Sequence, residues 1–456
     1  MQTEDSMRTR DRGRLIAGWG RNPATLGVVY QPQCEADLVD FRAGARGRIT
    51  RGLGRSYGDA AQNAGGTVVD LTGLNEIVDL DEVSGTITAA AGASLADILE
   101  AVVPRGWCLP VLPGTGHVTV GGAIAADVHG KNHVTDGSFG RHVVSFDLVT
   151  PDGVVTTVTP DKHPDLFGAT LGGMGLTGTV ARATLALTPI ETSSMLVENE
   201  RCTTLEGVLA RFREAAPWPY AVAWLDMSRR PGRIRGVFSR ARHARHDELP
   251  RGHLATPLRM RARSAPGVPA WFPPGIVNRA SVRLFNAAKY WMAPAGPRRR
   301  IEHMQRFFFP LDTISNWNHL YGRRGFLQYQ FAVPFGQEGT LGRIATLLGT
   351  IDGPRSLAVL KQLGDQEGLL SFPIPGWTLS VDLALGSADL ATTLDRCDEL
   401  VIGAGGRVYL AKDSRLSARA VRRMYPHINE WLDIKEQVDP LSMLRSDLGR
   451  RLELVG

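Results

Sequence analysis

The chain has 456 residues, of which 43% are hydrophobic and 21% charged, and its formal net charge at pH 7 is +6. This length exceeds one ordinary hydrophobic core and predicts two domains, and the composition excludes a disordered or collagen-like chain. No apolar run is long enough to span a bilayer, and the N-terminal residues contain no apolar signal core. We therefore expect neither a transmembrane helix nor a signal peptide.

The cysteines are few and scattered. None of Cys34, Cys108, Cys202 and Cys397 belongs to a C-x-x-C pair. This spacing disfavours a zinc site or a disulfide framework and favours a reducing compartment. We expect no metal in this protein.

Positive charge is concentrated in one part of the chain. Eleven arginines lie between Arg229 and Arg263, where Asp247 and Glu248 are the only acidic residues, and Arg298–Arg300 form a second cluster. A solvated loop is one interpretation, and attraction to a phosphate-bearing substrate or an anionic membrane is the other. No nucleic-acid-binding signature accompanies the charge, which disfavours a nucleic-acid partner.

The first third of the chain alternates short strands and turns. Alternating apolar runs predict strands at Thr67–Leu71, Gly85–Ala91, Val143–Thr150, Gly153–Val158 and Gly178–Leu187. Ser94–Val103 predicts an amphipathic helix with Ser94 as N-cap and Asp97 completing a capping box. Because the strands and helices lack a regular βαβ rhythm, an α+β fold is favoured.

The composition changes near Thr188. From there to about residue 405 the pattern predicts helices and aromatic-rich strands such as Gly325–Val333. Residues 250–298 have little periodicity and predict a long loop or mobile insertion. Ser414–Leu454 predicts a helical tail.

Two glycine-rich segments carry the strongest functional signal. They are RGLGRSYGD at Arg51–Asp59 and the longer Pro113–Gly140. Small residues let several backbone N–H groups converge on a diphosphate. The first segment lacks the ending of a phosphate-binding P-loop and the third glycine of a Rossmann fingerprint. Together the segments predict two walls of a site for a phosphate-bearing cofactor.

These two segments, followed by LGGMGLTGTV at Leu171–Val180, resemble the FAD-binding domain of the vanillyl-alcohol-oxidase family, also called the PCMH-type family. The resemblance implies an α+β, two-domain fold with an antiparallel-sheet substrate domain. It implies an FAD-binding domain over 1–190, a substrate domain over 191–407 with a mobile basic insertion at about 240–300, and a segment over 408–456 that returns to the FAD domain.

The resemblance also implies which residues contact FAD. These are Gly52, Leu53, Gly54, Arg55, Ser56, Tyr57, Gly58, Asn63, Gly114, Thr115, Gly121, Gly122, Ala125, Asp127, Val128, His129, Gly130, Asn132, Gly178, Val180 and Tyr409. Many family members bind FAD covalently through a histidine of the first loop. Arg55 occupies that position here, so we expect non-covalent FAD.

Further strings are similar to one subfamily, whose members oxidise the 2-hydroxyl of a polyprenyl-phospho-β-D-ribose to a ketone. They are GWGR at 18–21, GFLQYQF at 325–331, SFPIPGW at 371–377 and YLAKDSR at 409–415. This similarity implies the first half of an epimerisation that makes the arabinose donor of cell-wall arabinan. It implies a short-chain NAD(P)H-dependent keto-reductase acting next. It also implies peripheral membrane association, on the cytoplasmic side or in the cell envelope.

The subfamily pattern assigns Lys412, His129 and Lys131 as catalytic, with Lys412 as the essential lysine. It assigns the substrate contacts to Tyr57, Trp224, Gln328, Gln330, Lys361, Thr378 and Ser380, with Trp377 as a further wall. The chain's own pattern agrees at Gln328 and Gln330, which lie two apart on a predicted strand and therefore share a face. Two amides on an apolar strand need partners, and sugar hydroxyls are suitable ones.

Blander interpretations stay open at this point. Without the motif, Lys412 is a surface lysine beside Asp413, and the two glutamines are a buried pair bonded to backbone. Thr378 and Ser380 replace an asparagine and a cysteine of mycobacterial members, which puts the substrate beyond the sugar in doubt. The alternatives are an FAD-dependent oxidase of free sugars, alditols or nucleoside-like alcohols, a flavin-binding regulatory or scaffolding protein, and a basic nucleic-acid-binding protein.

Overall fold

The computed structural model describes residues 13–260, 265–273, 275–366 and 368–456. The first twelve residues, on which the expectation of no signal peptide depends, lie outside these ranges. Arg261 and Arg263 of the arginine-rich run lie outside them as well.

The strands follow in chain order. They are β1 Arg14–Ala17, β2 Ala24–Tyr30, β3 Arg48–Arg51, β4 Thr67–Asp70, β5 Ile77–Asp81, β6 Thr86–Ala90, β7 Trp107–Cys108, β8 Val143–Val149, β9 Val155–Val158, β10 Thr179–Ala186, β11 Thr188–Pro189, β12 Ser194–Cys202, β13 Tyr220–Asp226, β14 Arg235–His243, β15 Arg298–His303, β16 Phe326–Pro334, β17 Arg355–Leu363, β18 Gly376–Ala384 and β19 Arg407–Val408.

The α-helices are short or of medium length. They are α1 Glu35–Asp40, α2 Leu95–Val102, α3 Val120–Ala125, α4 His133–Asp136, α5 Pro164–Thr170, α6 Leu205–Arg213, α7 Arg279–Met292, α8 Met304–Phe308, α9 Glu338–Leu348, α10 Leu390–Gly403, α11 Ala418–Met424, α12 Ile428–Val438 and α13 Asp447–Arg451.

Two sheets build the first part of the chain. A mixed sheet has the order β1-β2-β4-β3, and an antiparallel sheet has the order β5-β6-β10-β8-β9. The predicted strands and the β8–β9 hairpin are confirmed. Helix α2 begins after Ser94 with the predicted capping box, because the Ser94 hydroxyl and the Asp97 carboxylate each satisfy the other residue's N–H.

One large sheet builds the second part. Its order is β15-β12-β14-β13-β17-β18-β16-β19, and every recorded pairing is antiparallel. Helices α9 and α10 contact β16 and thereby cover one face of this sheet. The expected α+β fold with an antiparallel substrate sheet is confirmed.

One sequence-based expectation was wrong. Residues 250–298, expected to form a loop, contain the fourteen-residue helix α7, capped by Asn278, whose side chain accepts from the N–H groups of Ala280 and Ser281. The predicted helical tail is confirmed, and it consists of the three helices α11, α12 and α13. The breaks fall at Pro426 and Pro440, where the missing N–H and fixed φ of proline end a helix.

The C-terminal segment lies against the first part of the chain. Arg451 makes ion pairs at 2.8 Å with both Asp59 and Asp413, and the N–H of Asp447 donates to the carbonyl of Gln62. The Trp431 indole donates to the carbonyl of Ala169 at 2.8 Å. The division into 1–190, 191–407 and 408–456 stays a prediction. Among the described residues, none of the helices combines the length and the apolar content needed to cross a bilayer.

Candidate active site

The loop Gly52–Gly58 follows β3 and is held from two sides. The N–H of Trp19 donates to the carbonyl of Ser56 at 2.8 Å, and the N–H of Tyr57 donates to that of Ala411 at 2.9 Å. A Cβ at Gly58 would overlap the carbonyl oxygen of Asp413, so only glycine permits this approach. The loop and the Leu410–Lys412 turn are thereby brought into backbone contact.

This loop has the chemistry of an anion cradle. Among the described residues, the backbone N–H groups of Gly54, Arg55 and Ser56 donate to no protein acceptor, and the same holds for Gly114 and Thr115. Gly54 is buried, and its φ of +64° is a conformation that favours glycine. A buried N–H group without a partner is costly, so the Gly54 amide, with the more exposed unpaired amides beside it, fits a ligand with phosphate oxygens.

The second glycine-rich segment turns at Asp127 to present His129. Asp127 has a φ of +39°, and its buried carboxylate accepts from the N–H of Gly140, the Ser371 hydroxyl and the Gln366 amide at 2.6–2.9 Å. Burial raises the pKa of Asp127 to about 6. These bonds give Asp127 a role in holding the loop, beside its predicted contact with FAD.

His129, in the second glycine-rich segment, lies next to the large sheet. The Gln330 amide lies 3.0 Å from its Nε2, while its Nδ1 is buried with no partner in the described structure. Burial lowers the pKa of His129 well below 6.5, and the nearby Lys361 lowers it further, so the ring is neutral at pH 7. A neutral ring that accepts at Nε2 carries its proton on Nδ1 and has one donor left for a ligand.

The register of the large sheet gathers the predicted substrate residues on one face. Gln330 lies opposite Ser380, and Thr378 lies opposite Lys361. Trp224 lies opposite Val359, two residues before Lys361 and therefore on the same face. Facing residues on neighbouring strands point to the same side, so the sheet presents amides, hydroxyls and an ammonium to the loop of His129.

Lys412 closes the site from the C-terminal side. Its Nζ lies 3.8 Å from the centre of the Tyr57 ring, and the Tyr57 hydroxyl is 3.3 Å from the Gln328 amide. Burial lowers the pKa of Lys412 to about 7, Asp382 opposes this shift, and Lys361 adds to it. Burial also raises the pKa of Tyr57 well above 10. Lys412 is therefore able to exchange a proton near neutral pH, and Tyr57 stays protonated.

Asp382 is a member of this cluster that sequence reasoning missed. Its Oδ1 accepts from the Gln328 amide at 2.6 Å, and its Oδ2 is buried without a partner among the described residues. Burial raises the pKa of Asp382 to about 7, against the opposing effects of Gln328 and Lys412. The available signal was its position in SVDLAL, two residues after Ser380 on the same strand face.

Other predicted residues hold the site together through contacts with the protein. The Lys131 ammonium donates to the carbonyls of Phe307 and Phe308 at the end of α8, and burial lowers its pKa to about 7. The Lys361 ammonium donates to the carbonyl of Gly130 at 3.4 Å. These contacts show how the two lysines are positioned, and their catalytic and substrate-binding roles stay predictions.

Several predicted FAD contacts have their polar groups engaged within the protein. Asn63 bonds Arg46, Gly47 and Arg450, and Asn132 bonds Pro110 and Asp136.

The predicted cofactor residue Tyr409 is engaged in the same way. Its hydroxyl donates to the carbonyl of Ala126 at 2.7 Å, and its ring stacks on Phe372.

The smaller predicted FAD residues pack on the first part of the chain. Gly121 packs on Ala91, Gly178 on Leu148, and Val180 lies in β10 opposite Leu148. Gly122 lies in the first turn of α3, where its N–H donates to the Thr119 hydroxyl at 3.2 Å, and Ala125 ends that helix. Their direct contact with FAD stays a prediction.

The expectation that Trp377 walls the site was wrong. Its indole donates to Glu338 and its ring packs on Phe212 and Phe335. Thr378 takes the site face of β18, so the adjacent residue must point to the opposite face.

Comparison with known proteins agrees with this geometry. Residues 27–159 match the family model described as FAD binding domain. Decaprenylphosphoryl-β-D-ribose oxidase of Mycolicibacterium smegmatis is 40% identical over 97% of this chain and 98% of its own length. Alditol oxidase of a Streptomyces species is 25% identical over 93% of this chain and 95% of its own length.

The matched region contains the Gly52–Gly58 loop, Gly114, Thr115 and the His129 segment, and the unpaired amides described above suit the diphosphate of FAD. Identity of 40% across nearly the whole of both chains shows common family membership. The chain belongs to the family of FAD-dependent oxidoreductases that includes decaprenylphosphoryl-β-D-ribose oxidase.

Proposed function

We propose that this protein oxidises the 2-hydroxyl of a polyprenyl-phospho-β-D-ribose to the 2-keto sugar. The substrate class is taken from the full-length relative, whose name specifies decaprenylphosphoryl-β-D-ribose. One observation of the structure carries the proposal. The Lys412 amine, with its pKa lowered to about 7, lies 3.8 Å from the centre of the Tyr57 ring, where the glycine loop meets the polar face of the sheet.

Each group has a defined task in this proposal. The neutral Lys412 amine takes the proton of the 2-hydroxyl. FAD held at the Gly54–Ser56 amides would supply the hydride acceptor that this oxidation needs. Gln328, Gln330 and Ser380 hold the other sugar hydroxyls, and His129 donates from Nδ1.

Three further predicted substrate residues belong to this arrangement. Trp224, Thr378 and Lys361 line the site with them on the same sheet face. Lys361 supplies positive charge for the phosphate.

We further propose that FAD is dissociable. The Arg55 guanidinium lies 3.8 Å from the centre of the Trp19 ring, and burial lowers its pKa. A guanidinium does not form the histidyl–flavin bond of covalent relatives. Precipitation with acid should therefore leave all the FAD in the supernatant and colourless protein in the pellet. Flavin retained with the denatured polypeptide would refute the proposal.

The product requires a second reaction. Reduction of the 2-keto group from the opposite face gives the arabinose epimer, so the partner is a short-chain NAD(P)H-dependent keto-reductase, and the product serves cell-wall arabinan. Because the proposed substrate carries a polyprenyl chain, we propose that the protein works at a membrane surface, in the cytoplasm or cell envelope.

Anaerobic flavin bleaching tests the activity without an external electron acceptor. Adding detergent-dispersed polyprenyl-phospho-ribose to the oxidised, FAD-loaded protein should bleach the flavin absorbance in one turnover. Free ribose and alditols at the same concentration should leave it unchanged. Bleaching by an alditol alone would instead support an alditol-oxidase activity.

A further inference from the structure

Helix α7 is apolar on two faces. Its inner face carries the buried Val282, Asn286 and Tyr290. An outer stripe is formed by four large side chains with the exposed fractions Leu284 74%, Phe285 56%, Trp291 63% and Met292 83%. Their i, i+1, i+7, i+8 spacing places them on one side of the helix. A contiguous exposed apolar patch of this kind marks an interaction surface.

The chain around this stripe is strongly cationic. From Leu249 to Ile301 the sequence has ten arginine and lysine residues and no acidic residue, and three of them, Arg279, Arg299 and Arg300, are paired with carboxylates outside this range. Arg283 of α7 and Arg298 are exposed and, within the described ranges, pair with no carboxylate. The Arg201 guanidinium lies 4.8 Å from the centre of the Trp291 ring. A partner that covers the stripe must therefore be apolar at its centre and anionic around it.

The inner face of α7 contacts the candidate active site. Lys289 Nζ lies 4.8 Å from the centre of the Trp224 ring, and Tyr290 packs in one cluster with Trp224 and Val237. Trp224 lies on the sheet face that carries the proposed substrate residues. The helix thus connects the exposed stripe with a wall of that site.

We propose that α7 docks in the headgroup region of an anionic bilayer. Its stripe of Leu284, Phe285, Trp291 and Met292 is inserted among the acyl chains, and the flanking arginines bind lipid phosphates. The docked helix places the Trp224 wall next to the membrane that holds a lipid-linked substrate, and this last step rests on the proposed function. A second copy of this chain is a poorer partner, because a two-fold contact would bring the cationic surface against itself.

Vesicle co-sedimentation tests this docking surface with the FAD-loaded full chain. The stripe variant is Leu284→Gln/Phe285→Gln/Trp291→Gln/Met292→Gln, since glutamine retains helix propensity. The matched control replaces four large, exposed apolar side chains elsewhere, as Leu15→Gln/Leu26→Gln/Val83→Gln/Leu441→Gln. Vesicles of phosphatidylcholine with or without phosphatidylglycerol are compared at low and high salt.

The wild type and the control variant should sediment with the anionic vesicles and be released by salt. The stripe variant should bind them at least about tenfold more weakly. The proposal would be overturned if the stripe variant sedimented as well as the wild type. It would also be overturned if the wild type were a dimer that the same substitutions dissociate. Flavin bleaching by detergent-dispersed polyprenyl-phospho-ribose is measured in parallel. It should persist in the stripe variant, and its absence in every protein would refute the proposed function separately.

Discussion

Lys412→Ala will slow anaerobic flavin reduction by about 10²–10⁴-fold, the range expected when a general base is removed. The protein should stay yellow, because the unpaired amides proposed to hold FAD belong to other segments. The physical reason is the position of the Lys412 amine on the Tyr57 ring, where burial lowers its pKa to about 7. Stopped-flow absorbance of the flavin measures the rate.

Two further variants distinguish a role of Lys412 as the base from a role as a fixed positive charge. Lys412→Arg keeps a permanent positive charge but removes the titratable amine, and Lys412→Met removes both. If Lys412 is the base, both variants are slow and added methylamine partly restores Lys412→Ala. A near-normal rate of flavin reduction in Lys412→Ala would refute the assignment of Lys412 as a catalytic residue. Full activity in Lys412→Arg would show that Lys412 acts through its positive charge and not as a base.

The rate of flavin reduction will rise with pH through a midpoint near 7, and Asp382→Asn will move that midpoint to lower pH. The amine accepts a proton only when neutral, so its lowered pKa makes the active form dominate above about 7. The Asp382 carboxylate raises the pKa of Lys412. Its removal should lower that pKa, and the midpoint, by about one pH unit or more.

A second buried carboxylate provides the matched control. Asp398 accepts from the Tyr329 hydroxyl at 2.8 Å, and burial raises its pKa to about 6. Tyr329 lies between Gln328 and Gln330 and therefore faces the opposite side of the sheet. Asp398→Asn should leave the midpoint unchanged. An unchanged midpoint in Asp382→Asn, at an intact flavin spectrum, would contradict the positioning role of Asp382.

Local signals were read correctly because they depend on neighbouring residues alone. Ser94 and Asp97 cap a helix through contacts three residues apart, and the β8–β9 hairpin follows from the turn at Pro151-Asp152-Gly153. Gly54 and Gly58 similarly indicate positions where the backbone lies too close to a neighbouring group for a side chain to fit.

Helix α7 was missed for a physical reason that bears on its proposed role. Sequence reading finds a helix by the contrast between one apolar face and one polar face. Here Val282 and Tyr290 lie on the inner face while Leu284 and Trp291 lie on the outer one, which removes the contrast. A helix with two apolar faces fits a position between a protein core and a second apolar phase.

The family motifs, the α+β class, the two glycine-rich segments and the candidate residues Lys412, His129, Gln328 and Gln330 could all be found from the order of residues along the chain. Each follows from residue types and their order along the chain, and the roles expected for Lys412 and His129 follow from the family resemblance. Only the tertiary structure placed Lys412 on Tyr57, added Asp382 to the cluster and turned Trp377 away from it. Those facts depend on the register of β16, β17 and β18, which pairs residues tens of positions apart, and on the contact of Gly58 with Asp413, which joins residues more than 300 positions apart.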